Sequence, residues 1–266
     1  MLSQKPLPSN ATELQMLSFY RFEDVTNPLQ VRDTLFESIK GIPGLCGTIY
    51  VATEGINGQL AVPTDRVDEL LVACTAALPF DPFAQTAPNM GDVVNAETPT
   101  FNRLIVRTRD YILRDGIPKD ISSALNWNDA GPELPPSEWH RQMQDDKAVI
   151  IDCRNLYESE EGTFEGAIPL GTNTFQESWE KINGLASDLD RTKPVHIFCT
   201  GGIRCVKVGA YMKQHLKFSN VTRLEHGIVG YDKWLDENPE QLTAFSGKNF
   251  LFDKRRFADD SDGKKA

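Results

Sequence analysis

The stretch 115–136 divides this chain into two halves whose apolar residues follow different patterns. Its sequence, DGIPKDISSALNWNDAGPELPP, is rich in Pro, Gly, Asp and Asn and has no sustained periodicity, which is typical of a linker. We therefore predict one domain over 14–114 and a second over 137–242. Residues 243–266 form a C-terminal tail, whose last residues, ADDSDGKKA, have little to bury and are predicted to be disordered.

The first half alternates strand and helix signals. The predicted elements, in chain order, are strand 17–22, a helix from Pro28 to about Lys40, strands 47–52 and 58–62, a helix capped by Thr64, and strand 101–112. The segment between the two middle strands, Thr53 to Gly58, carries glycines and an Asn-Gly pair, which are turn signals. The order β-α-β-β-α-β predicts a ferredoxin-like α+β domain.

The second half has a different kind of strand. The runs KAVIID (147–152) and PVHIFC (194–199) are short and continuously apolar, as in parallel strands that are covered on both faces. A further strand is predicted at NVTRLEHG (220–227), and helical patterns lie between these runs. We predict an α/β domain with a parallel sheet.

The charge distribution limits the partners of the chain. A net charge of -10 argues against a protein that coats nucleic acid without specificity. Residues 101–119 are an exception, because five basic residues stand there against two acidic ones. On a strand, Arg103, Arg107 and Arg109 share one face by the period of two. That face is either a solvated sheet surface or a surface that contacts RNA.

Length and cysteine content bear on the location of the protein. No apolar run approaches the roughly 18 residues that a membrane helix needs, and the first residues lack the pattern of a signal peptide. We expect a cytoplasmic protein with no membrane partner. A disulfide scaffold is not expected from an odd number of cysteines without framework spacing. These are Cys46, Cys74, Cys153, Cys199 and Cys205.

The sequence CTGGIRC places a thiol between a strand and a helix. Cys199 ends the predicted strand, where free backbone N–H groups and the positive end of the helix dipole favour a thiolate. Gly201 and Gly202 let the loop curl around an anion, and Arg204 adds positive charge. The spacing Cys-x4-Arg is one residue shorter than the phosphate loop of tyrosine phosphatases, which favours a smaller adduct such as a persulfide. The loop also contains Thr200 and Ile203.

Structural alternatives exist for several of these positions. Cys199 could be a buried strand-end residue, although the glycines and Arg204 favour a functional thiol. Cys205 lies on the apolar side of its helix, so packing competes evenly with a role as resolving thiol. Arg204 is predicted to be catalytic at the anion site, although it could instead pair with a local carboxylate. Asp152 and Arg154 are predicted to form a structural ion pair near the loop in preference to a catalytic role.

The second half resembles the rhodanese family. The resemblance lies in Asp152-Cys153-Arg154, in Tyr157-Glu158, in the run from Gly162 to Ile168, and in Cys199 at the family's catalytic position. Two positions depart from the family pattern, because Thr163 replaces the usual histidine and Tyr157-Glu158 inverts the usual order.

A more specific resemblance covers roughly residues 17 to 257. The loop CTGGIRC, the run ATEGING (52–58), Arg154-Asn155, Gly162-Thr-Phe and KNFLFDKR (248–255) together resemble the oxygen-dependent tRNA uridine-34 hydroxylase family. This resemblance implies an acylphosphatase-like first domain and a rhodanese second domain. It also implies hydroxylation of the wobble uridine at carbon 5, with the loop cysteine required. Bacterial members continue into a cysteine-rich tail, whereas no cysteine follows Cys205 here.

The resemblance implies a tRNA anticodon arm as partner. Glu54, Asn57 and Gly58 are then either substrate-facing or part of a hairpin turn, and the basic strand face holds RNA. Molecular oxygen and an unidentified reductant are expected as co-substrates. No metal site and no bound cofactor are expected, because the histidines lack ligand spacing and no dinucleotide fingerprint is present. The sequence carries no signal of oligomeric state.

Two other functions fit the loop. A sulfurtransferase would carry a persulfide on Cys199 and pass the outer sulfur to a thiol acceptor. A noncatalytic rhodanese module would bind a partner, but the intact Cys199 and Arg204 argue against it.

Overall fold

The chain folds into two compact units that divide between Leu113 and Arg114. The computed structural model describes residues 1–98, 100–143 and 148–250. Within these ranges, no helix is long and apolar enough to cross a membrane.

Among the described residues, the first unit contains six strands and two α-helices. They are β1 Leu2–Gln4, β2 Glu13–Phe22, α1 Pro28–Ile39, β3 Cys46–Ala52, β4 Gly55–Pro63, α2 Val67–Ala77, β5 Asn89–Asn95 and β6 Leu104–Thr108. As predicted, α1 begins at Asn27-Pro28, because the Asn27 side chain accepts a hydrogen bond from the Gln30 N–H. The predicted cap at Thr64 is wrong: Thr64 begins a short 3-10 turn that leads into α2, and its side chain caps neither element.

The strand order of the first sheet is β1-β6-β3-β4-β2-β5. Within it, β2, β3, β4 and β5 form the ferredoxin-like set, because β5 follows α2 and pairs antiparallel with β2. The assignment of strand 101–112 to the last place in this set is wrong. Instead, β6 pairs parallel with β3 on the other side of the set. The sequence of β5, NMGDVVN, lacks a clear apolar alternation, so its pattern does not indicate a strand.

Both helices pack against one face of this sheet. The core between them includes Leu35 from α1, Leu70 from α2, and Ile49, Leu60 and Val106 from the strands. Leu104 and Val106 are fully buried, so the alternate positions of β6 point to the opposite face of the sheet.

The hairpin between β3 and β4 is tighter than the sequence indicated. Only Thr53 and Glu54 separate the strands, and Asn57 pairs with Tyr50 inside the sheet. The predicted turn over Thr53 to Gly58 is therefore too long, because Asn57 and Gly58 lie within β4. Gly58 serves packing instead, because a Cβ there would lie 2.6 Å from the Phe19 ring.

The second unit contains the remaining strands and α-helices of the described residues. They are α3 Lys119–Ser122, β7 Glu133–Leu134, α4 Pro136–Gln142, β8 Val149–Asp152, α5 Leu156–Ser159, β9 Gly162–Phe164, β10 Ile168–Pro169, α6 Ser178–Asp188, β11 Val195–Phe198, α7 Ile203–Ala210, β12 Val221–Leu224, α8 Gly227–Glu237 and β13 Phe245–Gly247. A five-stranded parallel sheet has the order β10-β8-β11-β12-β7. This confirms the predicted parallel sheet. Its central strands β8 and β11 are almost entirely buried, as their continuous apolar runs require.

The stretch 115–136 belongs to this second unit and is not a free linker. Asp115 is buried and paired with Lys207 on α7, and its carbonyl accepts a 2.6 Å hydrogen bond from the Trp179 indole. Farther along, β7 adds to the parallel sheet beside β12. The polar, turn-rich sequence of this stretch does not indicate these contacts, because each partner lies far away along the chain.

The beginning of the expected tail is also part of the fold. Strand β13 pairs antiparallel with β9, and Phe245 packs in the second core. The residues predicted to be disordered, and the second half of the KNFLFDKR motif, lie at 251–266, outside the described residues.

Candidate active site

Cys199 lies at the carboxyl end of β11, and its loop ends where α7 begins. Gly202 adopts a φ of 95°, which glycine reaches without strain. This conformation directs the Gly202 N–H toward Cys199, with 3.2 Å between the nitrogen and Sγ. The predicted positions Thr200, Gly201, Gly202 and Ile203 thus form the connection between strand and helix.

The start of α8 holds the loop from the other side. The Ile228 N–H donates to the Cys199 carbonyl at 3.0 Å, and the Val229 N–H donates to the Thr200 carbonyl at 3.2 Å. Gly227 permits this approach, because a Cβ there would lie 2.3 Å from the Cys199 carbonyl oxygen. The prediction of a strand reaching Gly227 is wrong, since β12 ends at Leu224. The signal that could have found this support is a glycine shortly after a parallel strand.

Arg204 is engaged by a carboxylate under the loop. Its guanidinium forms two hydrogen bonds with Glu158, of 2.6 and 2.7 Å. The Thr200 hydroxyl donates to the same carboxylate at 3.0 Å. In the sequence, Glu158 stands out only as part of the Tyr157-Glu158 motif, and no local signal indicates its pairing with Arg204. The ion pair fixes both ends of the Cys199 loop to α5.

Burial and the Arg204 charge have opposite effects on the pKa of the Glu158 carboxyl. Burial alone would raise the pKa of this carboxyl, but the charge and hydrogen bonds of Arg204 outweigh it and the pKa is lowered. Glu158 is therefore ionised at neutral pH, and its charge offsets that of Arg204 beside the loop.

Cys199 is a neutral thiol in this conformation. Burial raises the pKa of Cys199 well above its usual value, a hydrogen bond with Cys205 raises it further, and the Arg204 charge offsets only part of the rise. The predicted thiolate is therefore wrong for this state. The reason is that full burial outweighs a guanidinium whose charge is already balanced by Glu158.

Three thiols meet at this site. The Cys205 side chain interacts with the thiol of Cys199 on one side and with that of Cys153 on the other. Cys153 follows β8 as Cys199 follows β11, and the residues before them, Asp152 and Phe198, are partners in the parallel sheet. All three side chains are at most 1% exposed and none is in a disulfide. In the sequence, Cys153 stands out only as part of the Asp152-Cys153-Arg154 motif, which does not indicate its place beside the other two thiols.

Asp152 and Arg154 form the predicted ion pair, and both are fully buried. The Arg154 guanidinium lies 2.7 Å from Asp152 and also donates to the Gly162 carbonyl. Thr163, where the rhodanese family usually has histidine, donates its hydroxyl to Asp152 at 2.9 Å. These contacts connect β8 to β9 behind the loop.

Two of the predicted site residues of the first unit, Glu54 and Asn57, contact one backbone segment. The Glu54 carboxylate accepts from the Ile112 N–H at 2.8 Å, and the Asn57 amide donates to the Ile112 carbonyl at 3.1 Å. Together with the packing of Gly58 under Phe19, these contacts account for the residue types within the fold. A substrate-facing role for these residues stays a prediction.

Two of the three predicted arginines, Arg107 and Arg109, lie over the ring of Tyr50. The guanidinium carbons of Arg107 and Arg109 lie 4.9 and 5.4 Å from the centre of the Tyr50 ring. Arg107 also donates to the Tyr50 hydroxyl at 3.1 Å, and Arg103 donates to the Ser3 hydroxyl at 2.8 Å. We call the surface formed by Tyr50, Arg103, Arg107 and Arg109 the Tyr50 face.

Each of the two units matches a known protein family. Residues 14–112 match the UPF0176 acylphosphatase-like domain, and residues 136–234 match the rhodanese-like domain. The chain joins a UPF0176 domain to a rhodanese-like domain. The predicted fold class is confirmed, and the Cys199 loop and its partners all lie within the rhodanese-like domain.

Curated relatives share both domains. A protein of Salmonella arizonae is 35% identical over 240 residues, which cover 90% of this chain and 65% of the relative. A protein of Yersinia pestis is 36% identical over 247 residues, which cover 92% of this chain and 66% of the relative. Both are named tRNA uridine(34) hydroxylase. This UPF0176–rhodanese chain thus spans about 65% of the length of the relatives.

Proposed function

We propose that this protein hydroxylates uridine-34 of tRNA at carbon 5, in an oxygen-dependent reaction in the cytoplasm that requires the Cys199 thiol. The observation that carries the proposal is the similarity to tRNA uridine(34) hydroxylases, which extends across both domains at about 35% identity. Molecular oxygen supplies the hydroxyl oxygen, and an external reductant donates the two further electrons that reduce the second oxygen atom to water.

The geometry of the loop supports a reacting thiol at Cys199. The Gly202 N–H points at its sulfur, and hydrogen bonds from α8 and the Glu158–Arg204 ion pair fix the backbone on both sides. A side chain held in this way keeps its position relative to a bound substrate. In this proposal Cys199 reacts, whereas Glu158 and Arg204 position its loop.

We infer that the Tyr50 face contributes to binding of the anticodon arm. Arginines neutralise phosphates, and an aromatic ring or a guanidinium plane can stack on unpaired bases such as those of a loop. The overall charge of the chain is negative, so a concentrated basic surface is needed to attract RNA. Arg107 and Arg109, ordered on Tyr50, supply such a surface.

The proposed reaction is tested by mass spectrometry of tRNA nucleosides from cells that lack the gene. We expect 5-hydroxyuridine and its derivatives to be lost, and to return with the wild-type gene but not with Cys199→Ala. Cys74→Ala is the matched control, because Cys74 is an equally buried thiol in the first unit. Unchanged wobble nucleosides in the null strain would rule out the proposed function.

A sulfurtransferase is the second candidate, because the Gly202 N–H at the Cys199 sulfur could also stabilise the outer sulfur of a persulfide. It predicts rapid turnover of thiosulfate and cyanide by the purified protein, and no change in tRNA. The two activities therefore separate in a pair of assays on the same preparation.

A further inference from the structure

The three thiols around the Cys199 loop are arranged as a chain, with Cys205 in the middle. All three side chains are buried, and Cys205 interacts with Cys199 and with Cys153. Two of these thiols stand at the ends of adjacent parallel strands, and the third is in the first turn of α7. The position of Cys205 between two other sulfurs allows it to form a disulfide with either neighbour.

The proposed hydroxylation requires electrons from outside the substrate. Oxidation of a C–H bond to C–OH supplies two of the four electrons that reduce molecular oxygen fully, so a donor must supply the other two with two protons. A pair of thiols that becomes a disulfide delivers this amount.

We propose that Cys199 and Cys205 are the internal two-electron donor of the reaction. This inference rests on the proposed function. The C5–H bond of uridine breaks and a C5–O bond forms, and the second oxygen atom leaves as water. The two S–H bonds break and one S–S bond forms, so that both thiol hydrogens end in the water. One uridine, one oxygen molecule and two thiols thus give one 5-hydroxyuridine, one disulfide and one water.

The protonation state of the Cys199 and Cys205 thiols is consistent with this stoichiometry. Burial raises the pKa of both Cys199 and Cys205 well above the usual value. Both thiols therefore carry their protons at neutral pH, and the pair holds the two protons and two electrons together.

Cys153 gives the oxidised pair a route back. Its sulfur attacks Cys205, the Cys205–Cys153 bond forms, and Cys199 leaves with the proton that Cys153 loses. Cys199 is then a thiol again, and a small external dithiol reduces the remaining disulfide. A packing role does not require that buried thiols contact one another. Cys74, for example, packs in the first core among aliphatic side chains.

The test uses the fully reduced, full-length protein without added reductant, with air-saturated buffer and excess tRNA that lacks the modification. We expect no more than one 5-hydroxyuridine per chain and the loss of two free thiols for each product. Peptide mapping should find a disulfide that contains Cys205, to Cys199 in Cys153→Ala and to Cys153 in the wild type. Added dithiothreitol should convert this single turnover into many.

Two variants distinguish electron donation from packing. Cys205→Ser and Cys205→Ala should lose the reductant-free turnover, and dithiothreitol should restore product to both, which a merely misfolded loop would not allow. Cys74→Ala should behave like the wild type. Many turnovers without thiol loss, or a disulfide that omits Cys205, would overturn the inference while the proposed function stands. No 5-hydroxyuridine even with dithiothreitol would overturn both.

Discussion

Glu158 and Arg204 form a buried, two-bonded ion pair beneath the Cys199 loop, with N···O distances of 2.6 and 2.7 Å. Glu158 is fully buried and Arg204 is 5% exposed, so each charge depends on the other for compensation. The pair connects α5 to the first turn of α7. It therefore controls both the stability of the loop and the electrostatic potential at Cys199.

Replacing Glu158 with Gln should destabilise the protein and activate Cys199. An unpaired buried Arg204 costs about 3 to 5 kcal/mol of unfolding free energy, which urea denaturation measures. Because the uncompensated guanidinium favours a thiolate, the pKa of Cys199 should fall and its alkylation by iodoacetamide at pH 7 should accelerate. Glu138→Gln is the control, since Glu138 pairs with Arg141 on the exposed side of α4. Slower alkylation in Glu158→Gln would contradict this account.

The contribution of Glu158 to stability should depend on pH. Its pKa is lowered in the folded protein, so the stabilisation is fully present above the unfolded value of about 4.3 and is lost as pH falls through the folded value. The difference in unfolding free energy between wild type and Glu158→Gln should thus be constant near pH 7 and shrink in acid. Urea titrations from pH 7 to pH 3 measure it, and a difference that grows in acid would have the wrong sign.

The position of the loop and of its thiol was predictable from sequence because its signals are local, whereas the protonation state of the thiol was not. Cys199, Gly202 and Arg204 occur within six consecutive residues, and the apolar run before them indicates a buried strand. Glu158, Gly227 and Cys153 could not be assigned in the same way. Each acts through a contact with a residue distant in the chain, which only the packed sheet and helices bring near.

The errors in the predicted strand and linker assignments have the same cause, because contacts between residues distant in the chain decide these places. The fourth strand of the ferredoxin-like set, β5, has backbone pairing with β2 but only a weak apolar pattern. Strand β6 has the stronger pattern, because Leu104 and Val106 enter the core, and its pattern alone does not reveal its place in the sheet. Asp115 has the sequence context of a linker, since its buried partner Lys207 lies on a helix much later in the sequence.

The Tyr50 face should determine affinity for tRNA. Replacing Arg103, Arg107 and Arg109 together with alanine should weaken binding and reduce the slope of log K against log salt by about one for each phosphate that is no longer neutralised. Filter binding or fluorescence anisotropy at several salt concentrations measures this slope. Arg66→Ala is the control in the same unit, because Arg66 is half-exposed and pairs with Glu69 of α2, outside β3 and β6. Unchanged affinity and slope in the triple variant would remove this face from the RNA interface.

Gly227 should be the most sensitive glycine around the site. Its φ of 60° is strained for other residues, and an alanine Cβ would lie 2.3 Å from the Cys199 carbonyl and 2.6 Å from the Thr200 carbonyl. Because α8 holds the loop through these carbonyls, we expect Gly227→Ala to cost about 3 kcal/mol or more in unfolding free energy and to expose Cys199 to alkylation.

Gly171→Ala separates strain from collision at Gly227. Gly171 has a similar φ of 64°, but no heavy atom lies within 4 Å of the position that an alanine methyl group would occupy there. The Gly171→Ala variant should therefore lose only the unfolding free energy that the backbone strain costs, about 1 to 2 kcal/mol. Its Cys199 should stay protected from alkylation. Equal losses in the two variants would show that backbone strain alone explains Gly227 and that α8 does not hold the loop. A larger loss and faster alkylation in Gly227→Ala would establish α8 as the support of the Cys199 loop.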